Sequence, residues 1–288
     1  FENYPFIDEI ILYDESYRGI SGKYRLSKEL KGRHFSQAVL FQNAFDAALL
    51  AYLAGIPERV GYDRDFRGAL LTKAVPFNKK DDRKVHPIRY FLGLIEAMGI
   101  QTDYTEPFIC LSLEERLKAR ESLKGLKRPI VGINPGAYGA SARRWPPERF
   151  SEVALKVTGE LDGSVVIFGG EAENETSEKI NAIYKKASGK DKQIFSITGK
   201  TTLRELASLI SECDVFLSND SGPMHMAMAL KAPVVALFGP VDPSIRIFGK
   251  GNVAIKKDVK CGPCYQKECS ENEIRCLLEI TSEEVFVA

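Results

Sequence analysis

Along the second half of the chain, short runs of β-branched residues alternate with longer stretches in which apolar residues recur every three or four positions. That alternation predicts parallel strands joined by crossover helices. Ile130-Val-Gly-Ile133 reads as a buried strand, Asn134-Pro-Gly-Ala137 as a turn, and Pro146 to Leu161 as a helix with Phe150, Val153, Ala154 and Val157 on one face. Ser164 to Phe168 reads as a strand, Glu173 to Ala187 as a helix and Gln193 to Ile197 as a strand. Thr202-Leu-Arg-Glu205 has the hydroxyl and carboxylate spacing of a capping box, opening a helix that runs to about Cys213. Asp214 to Leu217, Pro223 to Leu230 and Pro233 to Phe238 continue as strand, helix and strand, stopped by Gly239-Pro240. The pattern is that of a Rossmann-like domain.

The first half alternates less regularly. Ile7 to Tyr13 and Gln37 to Phe41 read as strands, Asp46 to Ala54 and Ile88 to Met98 as amphipathic helices, with Gly55 and Gly99 where helices end. The charged stretch from Leu113 to Arg128 starts a helix and loosens at Gly125, which places the domain boundary there: residues 1–126 and 127–288. The chain opens directly on a Pro-containing approach to a strand, without an initiator Met or a preceding βα unit. The expectation is an N-terminal domain lacking its first βα segment.

A length of 288 residues suits two domains, each with a sizeable core. Lys and Arg total 40 against 39 for Asp and Glu, a net charge of +1, so no global field attracts nucleic acid and any basic site is local. No stretch approaches the roughly 20 apolar residues of a membrane span, and Phe1 to Ile10 lack the pattern of a signal peptide. These features point to a soluble cytoplasmic protein.

In open α/β sheets, ligands bind beyond the carboxyl ends of the strands, so the strand-to-helix loops are where chemistry is expected. Ser218-Asn-Asp-Ser-Gly-Pro-Met-His225 sets a carboxylate, a hydroxyl and backbone donors at the positive end of a helix, which suits a diphosphate beside a polyol. Asp220 can accept hydrogen bonds from sugar hydroxyls, Ser221 and the Gly222 amide can bind phosphate oxygens, and His225 can add charge neutralisation. The plainer alternative is that Ser221 caps the helix and His225 packs. Asn134 to Trp145 is a small-residue loop closing on two guanidinium groups. Either Arg143 or Arg144 can bind a departing diphosphate, or both form a solvated pair beside a packed Trp145. Gly169-Gly-Glu-Ala-Glu173 is too short for G-x-G-x-x-G and has no P-loop lysine. Glu171 or Glu173 can reach a ribose, or sit as an exposed carboxylate at a helix start.

Six cysteines in so long a chain do not make a disulfide scaffold, yet four of them fall at Cys261, Cys264, Cys269 and Cys276. The spacing of the later two is not that of a common zinc ribbon, and zinc, free thiols and a disulfide all stay open. None of these requires the cysteines to catalyse anything, and no catalytic metal or cofactor is implied.

Six motifs in order, Asn134-Pro-Gly-Ala137, Ala142-Arg-Arg-Trp-Pro146, Phe168-Gly-Gly-Glu171, Thr198-Gly-Lys-Thr-Thr-Leu203, Ser218 to His225 and Leu237-Phe-Gly-Pro240, resemble glycosyltransferase family 9. The Cys-Gly-Pro-Cys opening of the cysteine pattern looks most like the heptosyltransferase II branch of that family. Ile7 to Asp14, Arg59-Val-Gly-Tyr62 and His86 to Ile100 agree more loosely. The resemblance implies a GT-B fold, two Rossmann-like domains facing a cleft, and inverting transfer of heptose from ADP-L-glycero-D-manno-heptose to a lipid-linked core oligosaccharide of lipopolysaccharide. It also implies peripheral contact with the cytoplasmic face of the inner membrane. Asn134, Gly136, Asp220, Ser221, Gly222 and His225 match its donor-binding positions, Glu173 falls near one that contacts the nucleoside, and Arg143 stands where the family usually has a diphosphate-binding Lys. The family's general base, an Asp in a Gly-Asp motif after the first strand, has no counterpart in this sequence. Two other readings carry less of the pattern: a sugar-nucleotide epimerase, which needs an acid and base pair, and a non-catalytic sugar-nucleotide-binding module.

Overall fold

The computed structural model describes residues 2–77, 85–189, 193–271 and 273–288. Contacts divide the chain into two units, Phe6–Thr105 and a second made of Phe1–Pro5 with Glu106–Ala288.

The Phe6–Thr105 unit carries a three-stranded parallel sheet, β1 (Gln37–Leu40), β2 (Glu58–Tyr62) and β3 (Lys73–Val75), in that order. Three helices accompany it: α1 (Gly19–Gly32), α2 (Phe45–Leu53) and α3 (Pro87–Ala97). Gly55 and Gly99 follow α2 and α3 at φ of +70° and +86°, the left-handed conformation that closes a helix most readily at glycine. Ile7 to Tyr13, expected as a strand, is irregular. Among the described residues β1 pairs with β2 alone, and Ile7, Ile10, Leu12 and Tyr13 are solvent-exposed. An alternating pattern becomes a strand only where a neighbouring edge takes up its backbone groups.

The second unit opens with α4 (Leu113–Ser122) and builds a six-stranded parallel sheet: β4 (Ile130–Asn134), β5 (Ser164–Ile167), β6 (Ile194–Ser196), β7 (Val215–Asn219), β8 (Val234–Phe238) and β9 (Val253–Lys256). The spatial order is β6-β5-β4-β7-β8-β9, the order of a doubly wound dinucleotide fold. The connecting helices are α5 (Pro147–Glu160), α6 (Asn174–Ser188), α7 (Leu203–Ile210) and α8 (Gly222–Ala229), followed by the short α9 (Arg275–Leu278) and α10 (Ser282–Val287). Phe150, Val153, Ala154 and Val157 of α5 are all buried against β4 and β5, as the helical spacing requires. Thr202 and Glu205 form the expected capping box at α7.

Residues 106–126 pack with the second unit, so the contact boundary falls before the loosened stretch at Gly125. The reason is Glu115. Its backbone N–H and carboxylate complete a capping box with Ser112, and the same carboxylate takes a two-armed bond from Arg204 of α7, Nε to Oε1 and Nη2 to Oε2, both at 2.7 Å. Gly125 does turn at φ +87°, but the helix before it is already fastened to α7. A sequence reading detects the turn and not the cross-link.

Candidate functional site

In the six-stranded sheet the strand order reverses between β4 and β7, because the chain winds outward from this pair in both directions. The two strands lie in register, Asn134 opposite Ser218, and their carboxyl ends mark the switch point, where open α/β sheets generally bind their ligands. The β4–α5 loop and the β7–α8 loop meet there.

The β4–α5 loop is held by its small residues. Ala137, Ala140 and Ala142 are buried and a single 3-10 turn covers Ser141–Arg143. Trp145 is 1% exposed, meets the Phe150 ring edge-on at 4.9 Å, and donates from Nε1 to the Ile280 carbonyl at 3.2 Å. With Trp145 anchored, the two arginines diverge. Arg144 lies exposed with its Nε directed to the Ala137 carbonyl at 3.4 Å, whereas Arg143 turns inward and its Nη1 lies 3.1 Å from Asp220 Oδ2. Asp220 is 3% exposed. The approach satisfies ion-pair distance without hydrogen-bond alignment: Arg143 Nε and Asp220 Oδ2 are both buried and lack a hydrogen-bond partner among the described residues. Buried polar groups left so are uncommon and mark this pair as a candidate for ligand contact.

Asn134 is 2% exposed and turned inward. Its Nδ2 faces Ser221 Oγ at 3.0 Å, Gly136 O at 3.2 Å and Ser218 Oγ at 3.3 Å, so it holds the two loops together. Ser221 stands at the N-cap of α8 but makes no side-chain capping bond, its hydroxyl lying with Asn134 and Ser218. That leaves the first amides of α8 uncapped by the residue best placed to cap them. Gly222 is exposed, and a Cβ added there would meet open space, so a ligand can approach the backbone of this helix end. His225, one turn along, lies parallel to the Phe248 ring at 6.3 Å.

Glu173 comes to the same end of the sheet from the β5–α6 side. It is 9% exposed, and its Oε2 accepts the Gly170 N–H at 2.9 Å, the role of a carboxylate at a helix start. Its side chain fills the space beside Gly136, where a Cβ would stand 2.6 Å from Glu173 Cγ. Gly136 is therefore the residue that lets Glu173 lie against the β4 loop. Glu171 is exposed and lies apart, on a polar groove with Asn174, Ser177, Ser196 and Lys200.

All six cysteines are free thiols, with Cys261 and Cys264 exposed and Cys276 buried. Among the described residues no three His, Cys, Asp or Glu side chains are placed to hold a metal ion. Burial, and then the neighbouring thiols of Cys261, Cys269 and Cys264, push the Cys276 thiol up from its ordinary value. The cysteine-bearing segment supports the site from outside: the Lys267 carbonyl accepts the Ala142 N–H at 3.0 Å, directly before Arg143.

Two residues that sequence reasoning passed over complete the arrangement. Ser218 and Asn219 are both fully buried at the end of β7. Asn219 Oδ1 accepts the Trp145 N–H at 3.1 Å and its Nδ2 donates to the Pro135 carbonyl at 2.7 Å. The available signal was strand alternation, which turns successive residues at a strand end toward opposite faces of the sheet.

Comparison with known proteins identifies the family. The family model for glycosyltransferase family 9 (heptosyltransferase) matches residues 23–275. The chain is 31% identical to lipooligosaccharide heptosyltransferase 2 of Campylobacter jejuni, over 91% of this chain and 75% of that protein. It is 30% identical to lipopolysaccharide heptosyltransferase 2 of Escherichia coli, over 78% of this chain and 65% of that protein. The solved E. coli ADP-heptose lps heptosyltransferase II superimposes with a TM-score of 0.74 at 25% identity, covering 92% of this chain and 78% of the other. A glycosyltransferase family 9 protein of Veillonella parvula superimposes with a TM-score of 0.78 at 26% identity, covering 100% and 82%. The fold is thus GT-B, and the chain belongs to glycosyltransferase family 9, the heptosyltransferases.

Proposed function

We propose that this enzyme transfers L-glycero-D-manno-heptose from ADP-heptose to the inner core of lipopolysaccharide, with inversion at the anomeric carbon. The observation that carries the reading is the pairing of half-buried Arg143 with buried Asp220 at the switch point, with a buried donor atom and a buried acceptor atom both lacking a hydrogen bond. A guanidinium supplies directed donors for a diphosphate, and the carboxylate supplies an acceptor for sugar hydroxyls. Inverting transfer needs a base for the acceptor hydroxyl and stabilisation of the departing diphosphate. Arg143 and the exposed Gly222 end of α8 serve the second need, since negative charge grows on ADP as the sugar leaves. Glu173, lying along Gly136, is assigned to the nucleoside side of the donor. His225 and Ser221 border the phosphates, Ser221 by lining the loop junction with Asn134.

No helix among the described residues is long and apolar enough to cross a membrane. A lipid-linked acceptor would bring the enzyme to the cytoplasmic face of the inner membrane as a peripheral protein. The test is calorimetry with ADP, UDP and GDP, followed by a transfer assay with ADP-heptose and a heptose-bearing core acceptor read by mass spectrometry. Tighter binding of ADP and a product heavier by one heptose are expected. Preference for UDP, or no transfer by a protein that binds ADP-heptose, overturns the assignment.

A further inference from the structure

The loop that carries Arg143 has two stems, Pro135 where it leaves β4 and Trp145 where it enters α5. Neither stem's free backbone group is served by a sheet or helix ladder. Both are served by one side chain: Asn219 accepts the Trp145 N–H at 3.1 Å and donates to the Pro135 carbonyl at 2.7 Å. Asn219 is 0% exposed, and the next residue along the chain is Asp220, the partner of Arg143. We infer that Asn219 is a positioning residue for the Arg143 guanidinium, its carboxamide fixing the loop against the end of β7; this rests on the assignment of Arg143 to the diphosphate.

A carboxamide is required for this because it accepts and donates at once, whereas a carboxylate of the same shape can only accept. Replacing it with aspartate therefore keeps the bond to Trp145 and sets two oxygens face to face at Pro135. The loop must then draw away from β7 and carry Arg143 with it. A protonated aspartate regains the donor. Burial favours the protonated form, so the defect in Asn219→Asp is relieved as pH falls.

The test measures ADP and adenosine binding to the full chain by calorimetry, in wild type, Asn219→Asp, Arg143→Ala and the double variant. At pH 8, Asn219→Asp is expected to weaken ADP binding by about tenfold, the scale of one buried hydrogen bond, and to leave adenosine binding within about twofold of wild type. At about pH 5.5 the ADP deficit relative to wild type at that pH should shrink. In the Arg143→Ala background, Asn219→Asp should add almost nothing, because the group it positions is gone. Equal losses for ADP and adenosine, or additive losses in the double variant, overturn the inference; the additive result is also what direct repulsion of the diphosphate by the new carboxylate would give. If Arg143→Ala alone leaves ADP affinity intact, the diphosphate assignment itself fails. If Arg143→Ala weakens ADP and Asn219→Asp does not, only the positioning role fails. Should the Asp variant lose its far-ultraviolet circular dichroism, Asn219→Ser carries the same comparison at pH 8, since its shorter hydroxyl cannot reach both stems.

Discussion

Arg143 Nη1 stands 3.1 Å from Asp220 Oδ2, joining the loops that follow two strands adjacent in the sheet and far apart in sequence. Asp220 is buried and Arg143 partly so, but the geometry leaves Arg143 Nε and Asp220 Oδ2 without hydrogen bonds. A pair that only balanced charge would gain by closing to a two-armed contact. This pair is held short of that, which leaves a donor and an acceptor unbonded within the protein.

Arg143→Ala should have two separable effects. Turnover should fall roughly 100-fold or more, because one fixed electrostatic contact to developing charge is lost. Folding stability should fall by roughly 1 to 3 kcal/mol at neutral pH, because Asp220 is left buried and uncompensated. Arg143→Lys should retain more of both, keeping the charge and losing the fork. Arg144→Ala should be mild, since Arg144 lies exposed. Steady-state kinetics and thermal melts followed by the fluorescence of Trp145, the chain's single tryptophan, decide it. A crippling Arg144→Ala beside a near-normal Arg143→Ala would reverse the roles assigned to the two arginines.

Asp220→Asn separates the sugar from the nucleotide. Removing the carboxylate frees the Arg143 guanidinium from its counter-ion, so ADP affinity should hold or rise. Affinity for ADP-heptose should drop relative to ADP, because a sugar hydroxyl loses a charged acceptor. Arg143→Ala with Asp220→Asn should also be more stable than Arg143→Ala alone, the buried charge having been removed. Matching losses for ADP and ADP-heptose would restrict Asp220 to holding Arg143.

The Rossmann-like half was legible as far as Phe238 because its strands are mostly apolar and its helices carry period-3.6 faces, as in Phe150, Val153, Ala154 and Val157, whereas the edge strand β9 and the short α9 and α10 were not read. The candidate loops were chosen by their position after strands, which the structure reproduces. What could not be read was direction. Asn134 was placed with the donor, yet its amide turns back onto Ser218 and Ser221, and Asn219 attracted no notice although it joins both loop stems. Polar side chains at strand ends serve ligand and scaffold alike, and only their hydrogen-bond partners tell them apart: Asn134 and Asp220 are equally buried, but the Asn134 amide is bonded and Asp220 Oδ2 is not. Ile7 to Tyr13 misled for a related reason: the alternation was present but no paired edge received it. The boundary near Gly125 rested on a real turn, while the Glu115 to Arg204 cross-link that assigns α4 to the second unit joins residues far apart in sequence.

That cross-link gives a stability signature in acid. Hydrogen bonds from Arg204, together with those from Ser112, hold the Glu115 carboxyl down at about 2 against an ordinary value of 4.5. A carboxyl whose folded value lies below its unfolded one contributes stability that is complete above about pH 4.5 and drains away as pH falls toward 2. Glu284, held at about 2 chiefly by Lys257, titrates in the same window. Glu115→Gln should therefore lower the melting temperature at pH 7 and converge with wild type near pH 2. Melting curves across that range check it, and a difference that persists unchanged at pH 2 would show that packing, not the charged bond, accounts for the loss.

The cysteines should sort by burial and not by chemistry. Burial, reinforced by the Asp214 carboxylate, pushes the Cys213 thiol up to about 12, so almost no thiolate exists there at pH 8 and reagent cannot reach it. Cys261 and Cys264 are exposed. A disulfide reagent at pH 8 should modify these two in the native protein and reach Cys213 only after unfolding, with peptide mapping to assign the sites. The same exposed pair lies on the segment whose Lys267 carbonyl supports Ala142, so its contribution to the site is mechanical. Cys261→Ser with Cys264→Ser should then keep ADP affinity and turnover within about threefold of wild type, as surface substitutions of similar volume usually do. If that double variant folds and binds ADP normally but no longer turns over, the thiols take part in transfer and the segment is more than a support. If Cys213 reacts in the native state as fast as Cys261, β7 and α7 open far more readily than their burial allows.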